Sequence, residues 1–226
     1  MRAGQGWIGV VTGYRAEADC LHGLGLQVAC SGADAQRARA AALRLVGEGA
    51  RGLISFGLAG GLAPHLQPGD LLLPETVILP DLRRLDTDPA WRARLAASLP
   101  SLDPHDAAIA GSDRLVATSA AKRALFEACG AVAVDMESYA VAEVAAKARL
   151  PFLVVRAIAD RCDQAIPRAA HQAIDANGEV RPLAVLGGLA RRPWQMAALI
   201  ALGRSSGRGL ASLRRVAALA PGLGFA

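Results

Sequence analysis

The sequence predicts an α/β fold whose strands run into helices and end on acidic residues. Three observations predict it. Residues 131–163, AVAVDMESYAVAEVAAKARLPFLVVRAIADRCD, read as strand, acidic turn, helix, strand, acidic turn, with short apolar runs set between turn signals. The opening run at residues 7–12, WIGVVT, likewise passes through a turn into a helix. At 226 residues and 53% apolar content the chain fits one α/β domain with a small appendage and can bury an ample core. Aromatics make up 4%, so Ala, Leu and Val must fill that core.

The elements follow in order. Residues 7–12 form a buried strand, and the turn Gly13-Tyr14-Arg15-Ala16-Glu17-Ala18 opens a helix, so Glu17 lies just past a strand end. Residues 26–30 give a second strand. A helix follows over 35–48, alanine and leucine on one side, Arg37, Arg39 and Arg44 among its polar positions. Residues 52–56 are a strand and 57–61, GLAGG, a small-residue turn that a ligand can approach closely. The turn is neither GxGxxG nor a P-loop. After the turn Pro68-Gly69-Asp70, residues 71–79 read as a strand, 86–99 as a helix, 106–110 as extended and 119–129 as a helix.

The central stretch carries the chemistry. Strands at 131–134 and 152–158 run into Asp135 and Glu137, and into Asp160 and Asp163. In the helix between them Glu137, Val141, Val144 and Ala148 fall on one face, so a carboxylate sits among core-seeking positions. Parallel strands joined by a helix place both acidic turns at one carboxyl-terminal edge, where open α/β sheets bind ligands. Taken singly, Glu137 and Glu17 also read as early-helix acids, and Asp160 as a turn or N-cap residue.

Composition narrows the class. From Arg181 onward there are seven arginines and no acid, so the overall charge of +5 leaves −2 for the first 180 residues. Basic charge confined to the tail, with few aromatics for stacking, argues against nucleic-acid binding. The longest apolar runs, including 183–190 and 196–203, fall short of the roughly 20 residues of a membrane span. The N-terminus has no signal-like cleavage region, and a cytoplasmic location is expected. The four cysteines form no CxxC pair and no cluster with histidine, so neither a metal site nor a disulfide framework is expected. The four scattered histidines make no Ser/His/Asp order or HExxH.

The order of motifs resembles the purine nucleoside phosphorylase and methylthioadenosine/S-adenosylhomocysteine nucleosidase superfamily over residues 7–163. The matching features are the opening strand with its glutamate turn, FGLAGGLAP followed by PGD and a strand, VDMES, and PFLVVRAIAD. Within it the chain is most similar to the hopanoid-associated phosphorylases, through Ala190-Arg191-Arg192-Pro193 and Pro221-Gly222-Leu223-Gly224 about a Leu/Arg-rich segment. The resemblance implies a three-layer α/β/α fold with a central mixed sheet, a catalytic domain over residues 1–180 and a basic amphipathic helical extension over 181–226. It further implies cleavage of the N-ribosidic bond of a purine nucleoside.

What the resemblance implies for single residues is a division of labour. Asp160 protonates the leaving purine, which requires a raised pKa. Glu137 binds the ribose hydroxyls and Met136 packs on the sugar. Glu17 orients the attacking water. Thr12, Gly13, Ser55 and Gly57 surround the phosphate or water pocket; Leu115, Val116 and Phe152 are candidates to bind the base. No cofactor or metal is implied, inorganic phosphate standing open as a co-substrate. Phosphorylases of this fold hold phosphate with an arginine in the first turn, an arginine before the glycine turn and a serine within it. Here those places carry Glu17, Ser55 and Leu58, so hydrolysis fits as well as phosphorolysis, with Arg15 and Arg161 as substitutes if they point inward. Ala159 replaces a serine that often precedes the acid.

For the substrate, the resemblance implies adenosylhopane, a lipid-linked nucleoside that releases adenine; the alternatives are a small 5′-substituted adenosine such as methylthioadenosine, or nucleoside binding without catalysis. Residues 182–220 set Trp194, Met196, Leu199, Ile200, Leu202, Leu210, Leu213 and Val216 beside six arginines. That composition suits a peripheral segment at an anionic inner membrane face, or else a pair of helices packed on the domain with a frayed break at 203–209. A homo-oligomer is expected from the resemblance.

Overall fold

The computed structural model describes residues 6–167, 179 and 196–225. In chain order the elements are β1 Ile8–Thr12, α1 Arg15–Asp19, β2 Gln27–Cys30, α2 Ala35–Gly47, β3 Gly52–Gly61, β4 Leu71–Leu72, β5 Thr76–Ile78 and β6 Arg84–Asp86. Then come α3 Pro89–Ala97, β7 Ile109–Gly111, α4 Ser119–Cys129, β8 Ala133–Asp135, α5 Ser138–Ala148, β9 Phe152–Asp160 and the long helix α6 Met196–Leu219. Local chemistry sets several boundaries. Asp34, Asp88 and Thr118 each accept a hydrogen bond from a first-turn amide of α2, α3 and α4. Pro89 opens α3, and Gly130, in the left-handed conformation, closes α4.

The strands form one mixed nine-stranded sheet between helical layers, the three-layer architecture expected. β2, β1, β3 and β9 are mutually parallel, and β4 joins β9 antiparallel. A second lobe, β8, β7 and β5, is parallel within itself but joins the end of β3 antiparallel, through Gly60 opposite Val134 and Gly61 opposite Ala133. β3 therefore belongs to both lobes. Its core neighbours differ by face. On one side Leu53, Val154 and Val11 pack with Ala38 and Ala42 of α2 and Val141 of α5. On the other, Ile54, Phe56 and Val155 meet Trp91 and Leu95 of α3 and Leu213 and Val216 of α6. A satellite cluster seats α4 against Ile78, Ala110 and Val134 of the second lobe.

Four local expectations need correction. β8 and β9 are not parallel neighbours: β8 runs antiparallel to β3 and β9 parallel to it, so their acidic ends converge beside β3 instead of along one common edge. Residues 57–61 are not a turn, because β3 continues through them with β9 alongside. The run 71–79 is two strands, β4 and β5, separated by a stretch containing Pro74, which has no amide to donate to a ladder. The helix expected at 86–99 starts later, after the short strand β6, where Asp88 caps Pro89–Ala97.

The tail is structured where it is described. α6 is continuous from Met196 to Leu219, without the expected break at 203–209. Each glycine there costs about 1 kcal/mol relative to alanine; burial of Leu213 and Val216 against the sheet offsets it. The Pro221-Gly222-Leu223-Gly224 segment ties the chain end to α3. Trp91 Nε1 donates to the Leu223 carbonyl at 2.7 Å, and the Trp91 and Phe225 rings lie 4.9 Å apart. Met196 and Ile200, at the start of α6, are exposed. Among the described residues no helix is long and apolar enough to cross a membrane. The run 183–190, the Ala190–Pro193 step and Trp194 lie outside the described residues.

Leu213, on the sheet-facing side of α6, is fully buried, so Leu213→Ala should cost about 2–5 kcal/mol of unfolding free energy, measured by urea denaturation. A cost within the noise of a surface substitution would show that α6 does not belong to the core.

Candidate active site

The site begins with an unpaired stretch of strand. Along one edge of β3, β1 covers residues 52–55 and β8 covers 60–61. Residues 57–59 have no ladder partner there, and a strand amide left bare in the interior is costly. Glu17, from the first turn of α1, fills the opening. Its Oε1 accepts from the Leu58 amide at 2.8 Å, and its Oε2 from the Gly13 and Tyr14 amides, each at 2.8 Å. A Cβ at Gly57 would lie 2.4 Å from Arg156 Nη1 and 2.6 Å from Glu17 Oε2, so the guanidinium and the carboxylate both crowd over this glycine and leave no room for a side chain. A Cβ at Gly13 would lie 2.7 Å from Glu137 Oε1 and 3.4 Å from Glu17 Oε2, so the two carboxylates face each other across it.

Arg156, in the middle of β9, is fully buried and organises the acids. Its Nε donates to Asp135 at 2.5 Å, and its Nη2 to Ser55 Oγ at 2.7 Å and Glu137 at 3.1 Å. Among the described residues Nη1 has no hydrogen-bond partner. Glu137 is the residue that caps α5, with Val141 donating to its carbonyl, but its side chain makes no capping bond and turns to Arg156. The early-helix role therefore does not account for it. Asp135 accepts from the Ser138 amide and hydroxyl, which fixes its carboxylate against Arg156.

Asp160 comes from the end of β9, where a register shift between Ala59 and Gly60 leaves Ala159 as the extra residue and sets Asp160 opposite Gly60. Such a bulge re-aims side chains; here both Ala159 and Asp160 line the cavity. Behind Asp160 lies Lys122 of α4, fully buried, whose Nζ donates to Asp160 Oδ2 and to the carbonyls of Arg161 at 2.6 Å and Gln164 at 2.9 Å.

These groups border a cavity of about 670 Å³. Glu17, Met136, Glu137, Leu115, Val116 and Asp160, all expected at the site, line it together. Thr12, Gly13, Ser55 and Gly57 do not. They lie one layer deeper, because the Glu17 carboxylate and the Arg156 guanidinium occupy the space in front of them. Phe152 is also misplaced by the sequence reading: it is buried at the opposite end of β9 from Asp160, among core residues. Arg161 is turned to the exposed Asp163 and does not line the cavity; Arg15 pairs with the exposed Asp19 and also lines the cavity. Tyr14 and α6, through Leu202, Ser206 and Leu210, complete the wall. Among the described residues no group of His, Cys, Asp and Glu is arranged to hold a metal ion.

The sequence reading missed two residues here, Arg156 and Lys122, and both had signals. Arg156 is the lone charge inside the apolar run FLVVRAIA, and Lys122 is one of only two lysines among 25 basic residues. Where arginine is used almost everywhere, a retained lysine marks a place suited to a compact three-donor ammonium.

Burial shapes the titration of Glu137, Glu17 and Asp160. It pushes Glu137 up to about 8, with Arg156 opposing the rise and Asp135 and Glu17 adding to it. Burial also raises Glu17, against Arg156 and its three amide donors, and raises Asp160, against Lys122. The Tyr14 phenol is raised by burial, then by Glu137 and Glu17. Three carboxylates, Glu17, Asp135 and Glu137, thus surround a single guanidinium. The cluster retains a proton near neutrality and would accommodate an added positive charge.

Against known proteins, the model of the phosphorylase superfamily matches residues 12–186. Curated proteins give no sequence match. Solved structures match the fold. A 5′-methylthioadenosine/S-adenosylhomocysteine nucleosidase from Helicobacter pylori, in complex with butyl-thio-DADMe-Immucillin-A, is 18% identical over 95% of this chain and 98% of its own, with a TM-score of 0.68. Futalosine hydrolase of the same organism is 18% identical over 94% and 97%, TM-score 0.69. An S-adenosylhomocysteine nucleosidase from Streptococcus pyogenes is 22% identical over 88% and 98%, TM-score 0.66.

The raised acids set a direction for stability. Between 4.5, the ordinary value for Glu137, and about 8, its folded value, the unfolded chain releases a proton that the folded chain keeps. This contribution is fully present below the lower value and lost as pH rises through the upper one. The melting temperature should fall across that interval, and Glu137→Gln should make the fall shallower. A melting temperature that rises over the interval, or a slope unchanged by the substitution, would contradict the placement of Glu137.

Proposed function

As the chain belongs to the phosphorylase superfamily and is an enzyme that cleaves an N-glycosidic bond, we propose that it hydrolyses the N-ribosidic bond of a purine nucleoside with an apolar 5′ substituent, releasing adenine. The observation that carries this reading is the excess of carboxylates over cations at the cavity floor, with Glu17 and Glu137 facing each other across Gly13.

Breaking the bond builds positive charge on the ribose and negative charge on the base. Glu137 hydrogen-bonds the ribose hydroxyls, and the cluster, with three carboxyls around one guanidinium, stays net negative even with one proton retained and so stabilises the developing cation. Glu17 takes a proton from the attacking water. Its three amide donors hold the carboxylate in one orientation, while burial keeps it basic enough to accept that proton. Asp160, at a separate point on the wall, delivers a proton to the purine.

The same charge excess opposes phosphate. A dianion placed beside Glu17 would meet carboxylates, and Arg156 has already committed its Nε and Nη2 donors to Asp135, Ser55 and Glu137. Its Nη1 is buried and Arg156 does not line the cavity, so this guanidinium offers an incoming anion little. Inorganic phosphate is accordingly not a co-substrate in this reading.

The apolar 5′ substituent is favoured by the wall formed by Leu58, Leu202 and Leu210. Adenosylhopane, implied by the resemblance to the hopanoid-associated phosphorylases, is such a substrate. Met196 and Ile200, exposed at the start of α6, give a peripheral enzyme an apolar contact with the membrane that holds a lipid-linked nucleoside.

Two measurements test the reading. Adenine release from a 5′-alkyladenosine should be independent of phosphate and yield free sugar, with a long alkyl chain preferred over 5′-methylthioadenosine in kcat/KM. Glu17→Gln should lower kcat by about 10²–10⁴-fold. Phosphate-dependent formation of ribose 1-phosphate would exclude hydrolysis, and preference for 5′-methylthioadenosine would exclude the lipid-linked substrate.

A further inference from the structure

Lys122 is a buried cation for which the reaction above has no use. It stands in the first turns of α4, where the helix dipole disfavours positive charge, and it is fully buried, where an unpaired ammonium is costly. The chain folds residues 161–166 back over the start of α4 to meet it. The Ile166 amide donates to the Ala117 carbonyl at 2.8 Å, and the Gln164 amide to the Arg161 carbonyl at 3.1 Å. The return brings the Arg161 and Gln164 carbonyls onto Nζ, so with Asp160 Oδ2 all three ammonium protons have acceptors. Among the described residues the other oxygen, Oδ1, accepts no hydrogen bond, while Asp160 lines the cavity.

We propose that Lys122 is the positioning residue for the acid: it grips the inner oxygen of Asp160, turns the outer oxygen to the leaving base, and stabilises the carboxylate left after proton transfer. This rests on the ribosidase reading. As the bond from C1′ to the base nitrogen breaks, its electron pair stays with the purine. The proton on the outer oxygen of Asp160 passes to a purine ring nitrogen, and Asp160 becomes a carboxylate held by the ammonium. Lys122 keeps its three protons throughout. Two opposed influences then set the acid: burial favours the protonated carboxyl, and Lys122 favours its ionised form. Burial alone would hold the proton too tightly to give it up, and the ammonium alone would strip it away before substrate arrives. Among the described residues Tyr14 also interacts with Asp160, whose charge raises its phenol. An arginine in place of Lys122 would bring a planar fork to three acceptors arranged about a single nitrogen.

The test separates leaving groups. Wild type and Lys122→Gln, which keeps amide donors without the charge, are compared on 5′-methylthioadenosine and on 4-nitrophenyl β-D-riboside, whose phenolate leaves without protonation. The substitution should lower kcat for the purine nucleoside about 10²-fold with KM little changed, and leave nitrophenolate release within about threefold. Asp160→Asn should show the same selectivity. Equal loss on both substrates would make Lys122 merely structural, and no loss on the purine would exclude any role; either overturns the proposal. Cleavage of neither substrate by wild type would overturn the ribosidase reading itself. Should Lys122→Gln fail to fold, NMR on the unmodified protein decides: the Lys122 nitrogen should stay an ammonium through the pH range in which the Asp160 carboxyl titrates. Deprotonation of the amine together with Asp160 would contradict the proposal.

Discussion

The site depends on an incomplete strand edge. β3 is shared by two lobes of opposite direction, and where β1 has stopped pairing and β8 has not begun, residues 57–59 present backbone to the interior. Backbone groups there must be satisfied by something other than a strand. Glu17 supplies that partner, accepting from Leu58 as well as from its own turn. The helix that follows β1 is thereby fixed with a carboxylate facing the cavity. Every other element of the site is placed relative to this opening: Arg156 and Asp160 by β9, which flanks β3 along its length, and Glu137 by β8, which returns antiparallel from the far end.

Charge then assigns the work. Around Arg156 the acids outnumber the cation, and burial raises Glu17 and Glu137. That excess favours a cationic sugar and disfavours an anionic nucleophile. At the end of β9 one acid faces one ammonium, with Asp160 and Lys122 in a balanced pair. In the proposed reaction, acids of similar intrinsic strength acquire different tasks from their surroundings, which lets base and acid chemistry coexist in one pocket. α6 contributes the apolar side of the same cavity, so the tail that looked separate in composition is part of the wall.

The strands and helices that were legible in the sequence were those with strong periodicity or caps; α2 and α4 emerge almost as expected. Glu17, Glu137 and Asp160 were legible as strand-end acids, and the resemblance to the phosphorylase and nucleosidase superfamily supplied the tasks proposed for them. What the pattern did not contain was direction. An acid-ended strand reads the same whether it lies parallel or antiparallel to its neighbour, so β8 was assigned to the wrong orientation. The glycines at 57–61 read as a turn because glycine serves turns and close approaches equally; here Gly57 makes room for Arg156 and Glu17. Arg156 and Lys122 escaped notice because a buried cation is recognised by the acceptors around it, and those are assembled from distant segments of the chain.

The central claim is that water, guided by Glu17, attacks the sugar. The most direct measurement is the reaction in ¹⁸O-labelled water with phosphate present, followed by mass spectrometry of the sugar quenched before anomeric exchange. The account predicts one labelled oxygen at C1 of the released sugar and no phosphorylated product. An unlabelled sugar carrying phosphate at C1 would contradict it.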